Sequence, residues 1–389
     1  MAYIILSNPG SESRKYALYK DSEQILSLHL EKNKGSYIST VEKGTKVYEE
    51  NVTEEQFRKC AEYLIKTIKK ECEFDPTMLA AIGVRIVAPG HFFATHRKID
   101  ETFMTNLNEK LAISPLHIEA SLGEIKMFKE TLPDVPIYAL SDSAFHRERP
   151  LVSRLYAIPR QMRENLEAER FGYHGLSAEY IVSELDRLCR KLPSKLIICH
   201  IGGGISVMSF KDGKTVDTSM GFSPLEGVMM ATRSGDIDPI LVSTLIEKTD
   251  SPISLVETLL NRGCGLLGLS GISEDPRDLL KAEKEGNKNA KSALELYVYR
   301  IKKMIGSMAT TLDGIDALVF TGTVGERSAN LRNRICLNMN SFGIRLDDAK
   351  NSTRTSGSGE IGDEGSEVQI FAMKTNEMKV MAQELLNLL

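Results

Sequence analysis

The chain has 389 residues, 42% of them hydrophobic, and 49 basic against 53 acidic side chains for a formal net charge of −4. That length exceeds one ordinary hydrophobic core, so two domains are expected, and the apolar content can fill both. The balanced charge argues against nucleic acid or a membrane surface as partner, and neither a signal peptide at MAYIILSNPG nor an apolar run of about 18 residues is found.

Tyr3 to Leu6 is a short apolar run, followed by the polar glycine turn SNPGSES; Lys15 to Tyr19 and Gln24 to Leu30 then read as strands. Thr53 with Gln56 has the form of a capping box, and Phe57, Cys60, Ala61, Leu64, Ile65 and Ile68 recur at helical spacing behind it. Met78 to Val87 predicts a buried strand ending at Pro89–Gly90, Ser121 to Glu130 a helix, and Ile137 to Leu140 a strand before SDSAFH. Around Pro150 to Pro159 a second cycle of elements begins. Ser177 to Lys191 predicts a helix with Ile181, Leu185 and Leu188 on one face. Strands Lys195–Ile201 and Ile205–Phe210 flank Gly202, Gly203 and Gly204, and Asp212–Gly213 predicts a type I′ hairpin turn into a strand starting at Thr215. A long helix striped by Tyr297, Ile301, Met304, Ile305, Met308 and Leu312 precedes a buried strand, Asp316 to Thr321, that enters the loop GTVGE before a helix. The tract NSTRTSGSGEIGDEGSE reads as an exposed loop, and Asn376–Glu377 opens a final helix. The six cysteines (Cys60, Cys72, Cys189, Cys199, Cys264 and Cys336) form no CxxC pair and read as buried thiols in a reducing cytoplasm.

A dinucleotide-binding fingerprint needs its glycines between a strand and a helix. Here they join two strands, and they repeat the strand–turn–strand opening of the chain. Two such hairpins predict an α/β protein of two duplicated actin-like (ribonuclease H-like) domains that close on a nucleotide in the cleft between them. The expected division is 1–148 plus 378–389 for the N-terminal domain and 149–377 for the C-terminal one.

Several residues are chemically suggestive, each with a plainer alternative. The turn from Asn8 to Lys15 offers hydroxyls, amides and cations suited to a polyphosphate and its metal, or is an ordinary polar turn. Arg233, in a broken polar segment, suits a carboxylate or phosphoryl group, or pairs with Asp236 or Asp238. Arg85 ends a predicted buried strand, where a charge needs a partner. His117 and His174 stand isolated, as structural histidines often do. Asp142 suits a hard cation or a helix N-cap, and Glu377 suits the start of a helix in any case.

These residues lie in motifs that resemble the acetate kinases, the short-chain acyl-phosphate kinases of the actin and sugar-kinase superfamily. VDTSMGFSPLEGVMMATRSGDIDP is similar to the family signature, and NPGSESRK, VRIV, SPLH, SDSAFH, RFGYHG, CHIGGG, FTGTVGE and TNE follow in family order from Asn8 to Glu377. The resemblance implies Mg²⁺, or Mn²⁺, at Asn8, Asp142 and Glu377. It implies a phosphate turn at Ser11, Ser13 and Lys15, arginines Arg85 and Arg233 flanking the acyl and phosphoryl groups, and His174 on the transferred phosphoryl group with His117 in support. Val87, Leu116, Tyr173 and Pro224 fall at the acyl pocket. His200 and the three glycines Gly202, Gly203 and Gly204 fall at the second phosphate turn, and Asp275 and Arg277 at the adenosine, beside Gly322, Thr323, Val324, Gly325 and Glu326. The implied reaction is reversible phosphoryl transfer from ATP to acetate, giving acetyl phosphate and ADP, by a cytoplasmic homodimer joined through its C-terminal domains.

Four departures from the family pattern bear on substrate choice. Gly203 stands where Asn is usual, Thr323 and Arg327 replace Gly and Asn in the adenine loop, Val84 and Ala88 replace two histidines, and Tyr173 replaces Phe. They leave three other readings open: a propionate kinase, a pyrophosphate-dependent acetate kinase, and a catalytically silent nucleotide-binding member.

Overall fold

The computed structural model describes residues 1–389 apart from Met1, Ser11, Glu12, Lys34, Glu73 and Ala112, with Asn33 and Leu116 described by backbone alone. The chain divides into two units, Met1–Arg147 with Asn376–Leu389, and Glu148–Thr375. Glu377, expected in the second domain, belongs to the first unit, where its carboxylate accepts a hydrogen bond from Asn8.

The first unit is built on strands β1 (Tyr3–Pro9), β2 (Ser13–Lys20), β3 (Glu23–Asn33), β4 (Ser36–Lys43), β5 (Lys46–Val52), β6 (Leu79–Ile86), β7 (Arg97–Lys98) and β8 (Ile137–Ser141). They form one sheet in the order β5-β4-β3-β2-β1-β6-β8-β7. β1, β2 and β3 run antiparallel, and β6 and β8 then add parallel to β1. The second unit is built on β9 (Lys195–Ile201), β10 (Ile205–Lys211), β11 (Lys214–Thr218), β12 (Ala317–Thr321), β13 (Gly359–Glu360) and β14 (Gln369–Ala372), in the order β11-β10-β9-β12-β14-β13. Again three antiparallel strands are followed by two parallel ones. The same five-strand plan therefore occurs twice, which is the duplicated actin-like α/β fold expected.

Apolar alternation drives these elements. β9 and β12 are buried almost end to end, as strands covered on both faces must be. Asp212 and Gly213 both have positive φ, 50° and 78°, and make the tight β10–β11 turn. Thr53 and Gln56 form the expected capping box, but the helix behind them breaks at Lys59 (φ −94°, ψ 45°) into Glu54–Arg58 and Cys60–Cys72. β4 and β5 were not foreseen; β5 is an edge strand whose residues are mostly solvent-facing, so it carries no apolar alternation. Leu188 is exposed rather than packed with Ile181 and Leu185. The polar tract from Asn351 is not a simple loop: it completes helix Asp348–Thr353, supplies β13, and buries Asn351 against the Arg332 guanidinium, Nε to Oδ1 2.8 Å. Among the described residues, no helix is long and apolar enough to cross a membrane.

Candidate active site

In the first unit, the parallel strands β1, β6 and β8 bring three polar residues to one end of the sheet. Asn8 lies on β1, Arg85 on β6, and Asp142 directly follows β8. Helix Glu377–Leu388 contributes its first residue, Glu377. Arg85 meets Asp142 in a two-bond fork, Nη2–Oδ2 2.8 Å and Nε–Oδ1 3.1 Å. Its Nη1 donates to Asn8 Oδ1 at 3.1 Å and lies 3.7 Å from Glu377 Oε2, which accepts from Asn8 Nδ2 at 3.0 Å. Burial pulls the Arg85 pKa down, but the Asp142 and Glu377 carboxylates outweigh it and hold the guanidinium above its ordinary range. Arg85 is thus partnered by the cation-site candidates themselves, and Asp142 pairs with Arg85 where an N-cap role had been the alternative.

The donor set Asn8, Asp142 and Glu377 is all oxygen, two carboxylates and an amide, which suits a hard divalent cation completed by water and phosphate. Among the described residues, no group of three or more His, Cys, Asp or Glu forms a metal site by itself. Ser13 Oγ bonds His29 Nε2 at 2.7 Å, a partner the sequence gave no signal for, and Lys15 is exposed opposite Asn8 in the β1–β2 register. His117 lies half-buried in the first turn of helix Pro115–Thr131. Val87 is buried just after β6. Ser11 and the Leu116 side chain lie outside the described residues.

In the second unit, the glycine turn between β9 and β10 meets the two histidines and Arg233. His174 and His200 stack, ring centroids 4.1 Å apart at 17°. His174 Nδ1 is bonded to Ser206 and His200 Nδ1 to Ser177, each at 2.8 Å, which fixes both rings. Gly204 allows the close approach: a Cβ there would lie 3.2 Å from Arg233 Nη1 and 3.3 Å from His174 Cε1. Gly202 N donates to Gly204 O at 3.0 Å, and Ala231 N to Gly203 O at 3.4 Å, so the turn and the Arg233 segment hold each other. A Cβ at Gly203 would meet nothing within 4 Å. The two carboxylates expected as alternative partners of Arg233 have other bonds: Asp236 accepts from Gly227 N and Asp238 caps helix Pro239–Thr249. Burial pushes the Arg233 pKa down to about 10, which still leaves it charged at neutral pH. Tyr173 is buried and its hydroxyl donates to Phe222 O at 2.7 Å; Pro224 O accepts from Arg233 Nη1 at 3.4 Å.

A pocket of about 400 Å³ opens in the same unit, lined on one side by Gly202, Gly203 and Ala231 and on another by Thr323, Val324, Arg327 and Ser328. Glu274, Asp275, Pro276 and Arg277 line it as well. Asp275 caps helix Pro276–Lys284 through Arg277 N and also pairs with the Arg277 side chain, whose bonds hold its carboxyl below the usual range. Three residues of the expected adenine loop do not line this pocket. Gly322 has φ +77° with Ile201 O only 2.7 Å from where a Cβ would be, Gly325 packs on β9, and the Glu326 carboxylate accepts from Gly357 N at 3.1 Å. These three support the loop and leave the lining to Thr323 and Val324.

The whole chain finds counterparts. It matches the acetokinase family over residues 3–383. It is 37% identical over 401 residues to an acetate kinase of Bacillus velezensis, covering 100% of both chains. Among solved structures, it is similar to a propionate kinase from Francisella tularensis (TM-score 0.89, 30% identity, 99% of each chain). It is also similar to the acetate kinase of Porphyromonas gingivalis (TM-score 0.86, 29% identity, 100% of this chain and 99% of that one). The matched span includes Asn8, Arg85, Asp142, His174, Arg233 and Glu377, and on this sequence and fold evidence the chain belongs to the acetokinase family of phosphotransferases.

Proposed function

We propose that this chain is an acetate kinase, transferring the γ-phosphoryl group of ATP reversibly to acetate to give acetyl phosphate and ADP. The observation that carries the reading is Arg85, a guanidinium bonded to Asp142 and Asn8 at 2.8–3.1 Å and lying 3.7 Å from the Glu377 carboxylate. Acetate is already ionised at neutral pH, so no strong general base is required. The barrier lies in bringing one anion to another. Arg85 and Arg233 supply fixed positive charge for the carboxylate and the transferring phosphoryl group, and His174, oriented by Ser206, offers a hydrogen bond to a phosphoryl oxygen. His117 supports it. Asp142, Glu377 and the Asn8 amide oxygen would hold Mg²⁺ or Mn²⁺, which when bound neutralises charge on the polyphosphate.

The pocket beside Asp275 and Arg277 takes the adenosine, with Gly202, Gly203 and Gly204 at the phosphates. A pyrophosphate donor would leave that pocket without a role. By the family resemblance, contact with the acyl tail is assigned to Val87, Leu116, Tyr173 and Pro224. Propionate stays a second acceptor, because the solved propionate kinase, at 30% identity and TM-score 0.89, is as similar to this chain as the solved acetate kinase, at 29% and 0.86. Six unpaired cysteines fit a reducing cytoplasm. A homodimer through the second unit fits helices Pro239–Thr249 and Ile253–Arg262, which expose Ile240, Leu241, Ile253, Leu255 and Leu259.

The test is acyl-phosphate formation, trapped as the hydroxamate, with Mg²⁺ and ATP or pyrophosphate as donor, and acetate, propionate or butyrate as acceptor. Product with ATP and acetate is expected. Product with pyrophosphate alone would replace the donor, and product with none of these would move the chain to the silent binding class.

A further inference from the structure

Beside the groups that meet substrate in this reading, the second unit contains a half-buried polar relay centred on the backbone of one residue, Phe222. Its N–H donates to the Tyr156 hydroxyl oxygen at 2.8 Å, and its carbonyl accepts from the Tyr173 hydroxyl at 2.7 Å. Tyr156 in turn donates to the Glu226 carboxylate, whose other oxygen is held by Arg170. Arg170 also reaches the carbonyls of Thr218 and Ser219, at 3.0 and 3.3 Å. The neighbouring Gly221 carbonyl accepts from Phe171 N and Gly172 N, at 3.0 and 3.3 Å. Gly221 itself has no room for a side chain, since a Cβ would overlap the Glu226 carboxylate and the Tyr156 hydroxyl.

The backbone N–H and C=O of Phe222, in two successive peptide groups, are therefore both fixed by tyrosine hydroxyls. Two residues further on, Pro224 bonds Arg233 through its carbonyl. The relay thus bears on the segment assigned to the acyl tail in the proposed function and on the Arg233 guanidinium bonded to it.

We propose that Tyr156, backed by Glu226 and Arg170, acts together with the Tyr173 hydroxyl as a positioning device that sets acyl-chain selectivity. The inference rests on the acetate kinase reading and extends it. An apolar pocket separates acceptors differing by one methylene by only about 10–200-fold, and only while its wall does not yield. Loop backbone is an adaptable wall unless both its donor and its acceptor are tied down, and here they are. The Tyr173 hydroxyl is engaged by the Phe222 carbonyl at 2.7 Å, so it acts on this loop.

The experiment compares Tyr156→Phe and Tyr173→Phe with the unaltered protein. It reads kcat and KM for acetate, propionate and butyrate, KM for MgATP, and thermal stability. Tyr156→Phe is expected to raise the acetate KM about tenfold and to shrink the kcat/KM preference for acetate over butyrate about tenfold, with the MgATP KM within about twofold. Tyr173→Phe should move the same ratio in the same direction by less. A lower melting temperature with an unmoved acyl ratio in both variants means a merely structural relay and overturns the proposal; so does an equal rise in the KM of acetate and MgATP. Should Tyr156→Phe fail to fold, Tyr173→Phe leaves the Phe222 N–H bond in place and decides alone. If the unaltered protein forms no acyl phosphate from any of the three acids, the acetate kinase reading fails and this proposal with it.

Discussion

The Arg85 guanidinium, on β6, grips the carboxylate of Asp142, just after the parallel strand β8, edge to edge with bonds of 2.8 and 3.1 Å. Asp142 has no exposed surface to turn to water. Removing the arginine takes away that two-bond fork, and breaking such a buried pair costs about 3–5 kcal/mol. Arg85→Ala should therefore lower the denaturant midpoint accordingly and reduce acyl-phosphate formation by orders of magnitude. Millimolar Mg²⁺ should restore part of the lost stability, because a cation would again balance Asp142 and Glu377. A variant as stable as the parent, or one indifferent to Mg²⁺, would count against the assignment of these oxygens.

Gly204 lies against both His174 and Arg233. Adding one methyl there would force both to shift by a few tenths of an ångström. Gly204→Ala is expected to lower kcat about ten- to a hundredfold through misplacement alone, with stability within about 1 kcal/mol of the parent. Arg233→Ala should cost more turnover and also leave the fold intact. Full activity in either variant would remove this group from the mechanism.

Glu124, on the helix that carries His117, is buried at 1% exposure. It accepts from Ser7 Oγ at 2.9 Å on the face of β1 opposite Asn8's, and lies near Cys60, which Arg14 contacts. Burial raises its pKa above the ordinary carboxyl value, more than Arg14 and Ser7 lower it. The folded protein then holds this proton more tightly than the unfolded chain does. Its contribution is fully present below the ordinary carboxyl range, about pH 4, and is lost as pH rises through the native value. The parent should accordingly lose stability relative to Glu124→Gln as pH rises above about 4. Denaturant titrations across that range check the sign, and a difference that grows toward low pH would contradict it.

The exposed apolar side chains of helices Pro239–Thr249 and Ile253–Arg262 are the surface expected to join two copies. Leu241→Glu with Leu255→Glu should shift the mass seen by light scattering from dimer to monomer. A monomeric parent, or a double variant that stays dimeric, would place the interface elsewhere or remove it.

Much of this architecture was readable before any coordinates. The glycine triplet between two apolar strands, the Asp212–Gly213 turn and the capping box at Thr53 are local signals, and each acts locally. The arginines and carboxylates stood out because charge at the end of a buried strand demands a partner, and Asp142 proved to be that partner for Arg85. What stayed hidden depends on distance along the chain. Nothing near Ser13 points to His29, and nothing near Glu326 says that its carboxylate turns to Gly357. Tyr156 lies 66 positions from the peptide it holds. Edge strand β5 escaped for a different reason: facing solvent, it has no apolar period to detect.

The helix Glu377–Leu388 packs against β1, β6 and β8, so the last segment of the chain covers its first sheet. Asn8 and Glu377 are bonded across 369 positions. At about 5–20 residues per second, a ribosome would present Glu377 roughly 20–70 s after Asn8. During that interval the first sheet must wait with the apolar face beneath this helix uncovered, while Glu148–Thr375 can assemble entirely from its own residues. Order of synthesis and order of completion are thus reversed: the unit begun first is finished last, and the Asn8–Glu377 bond can close only once the second unit has been made.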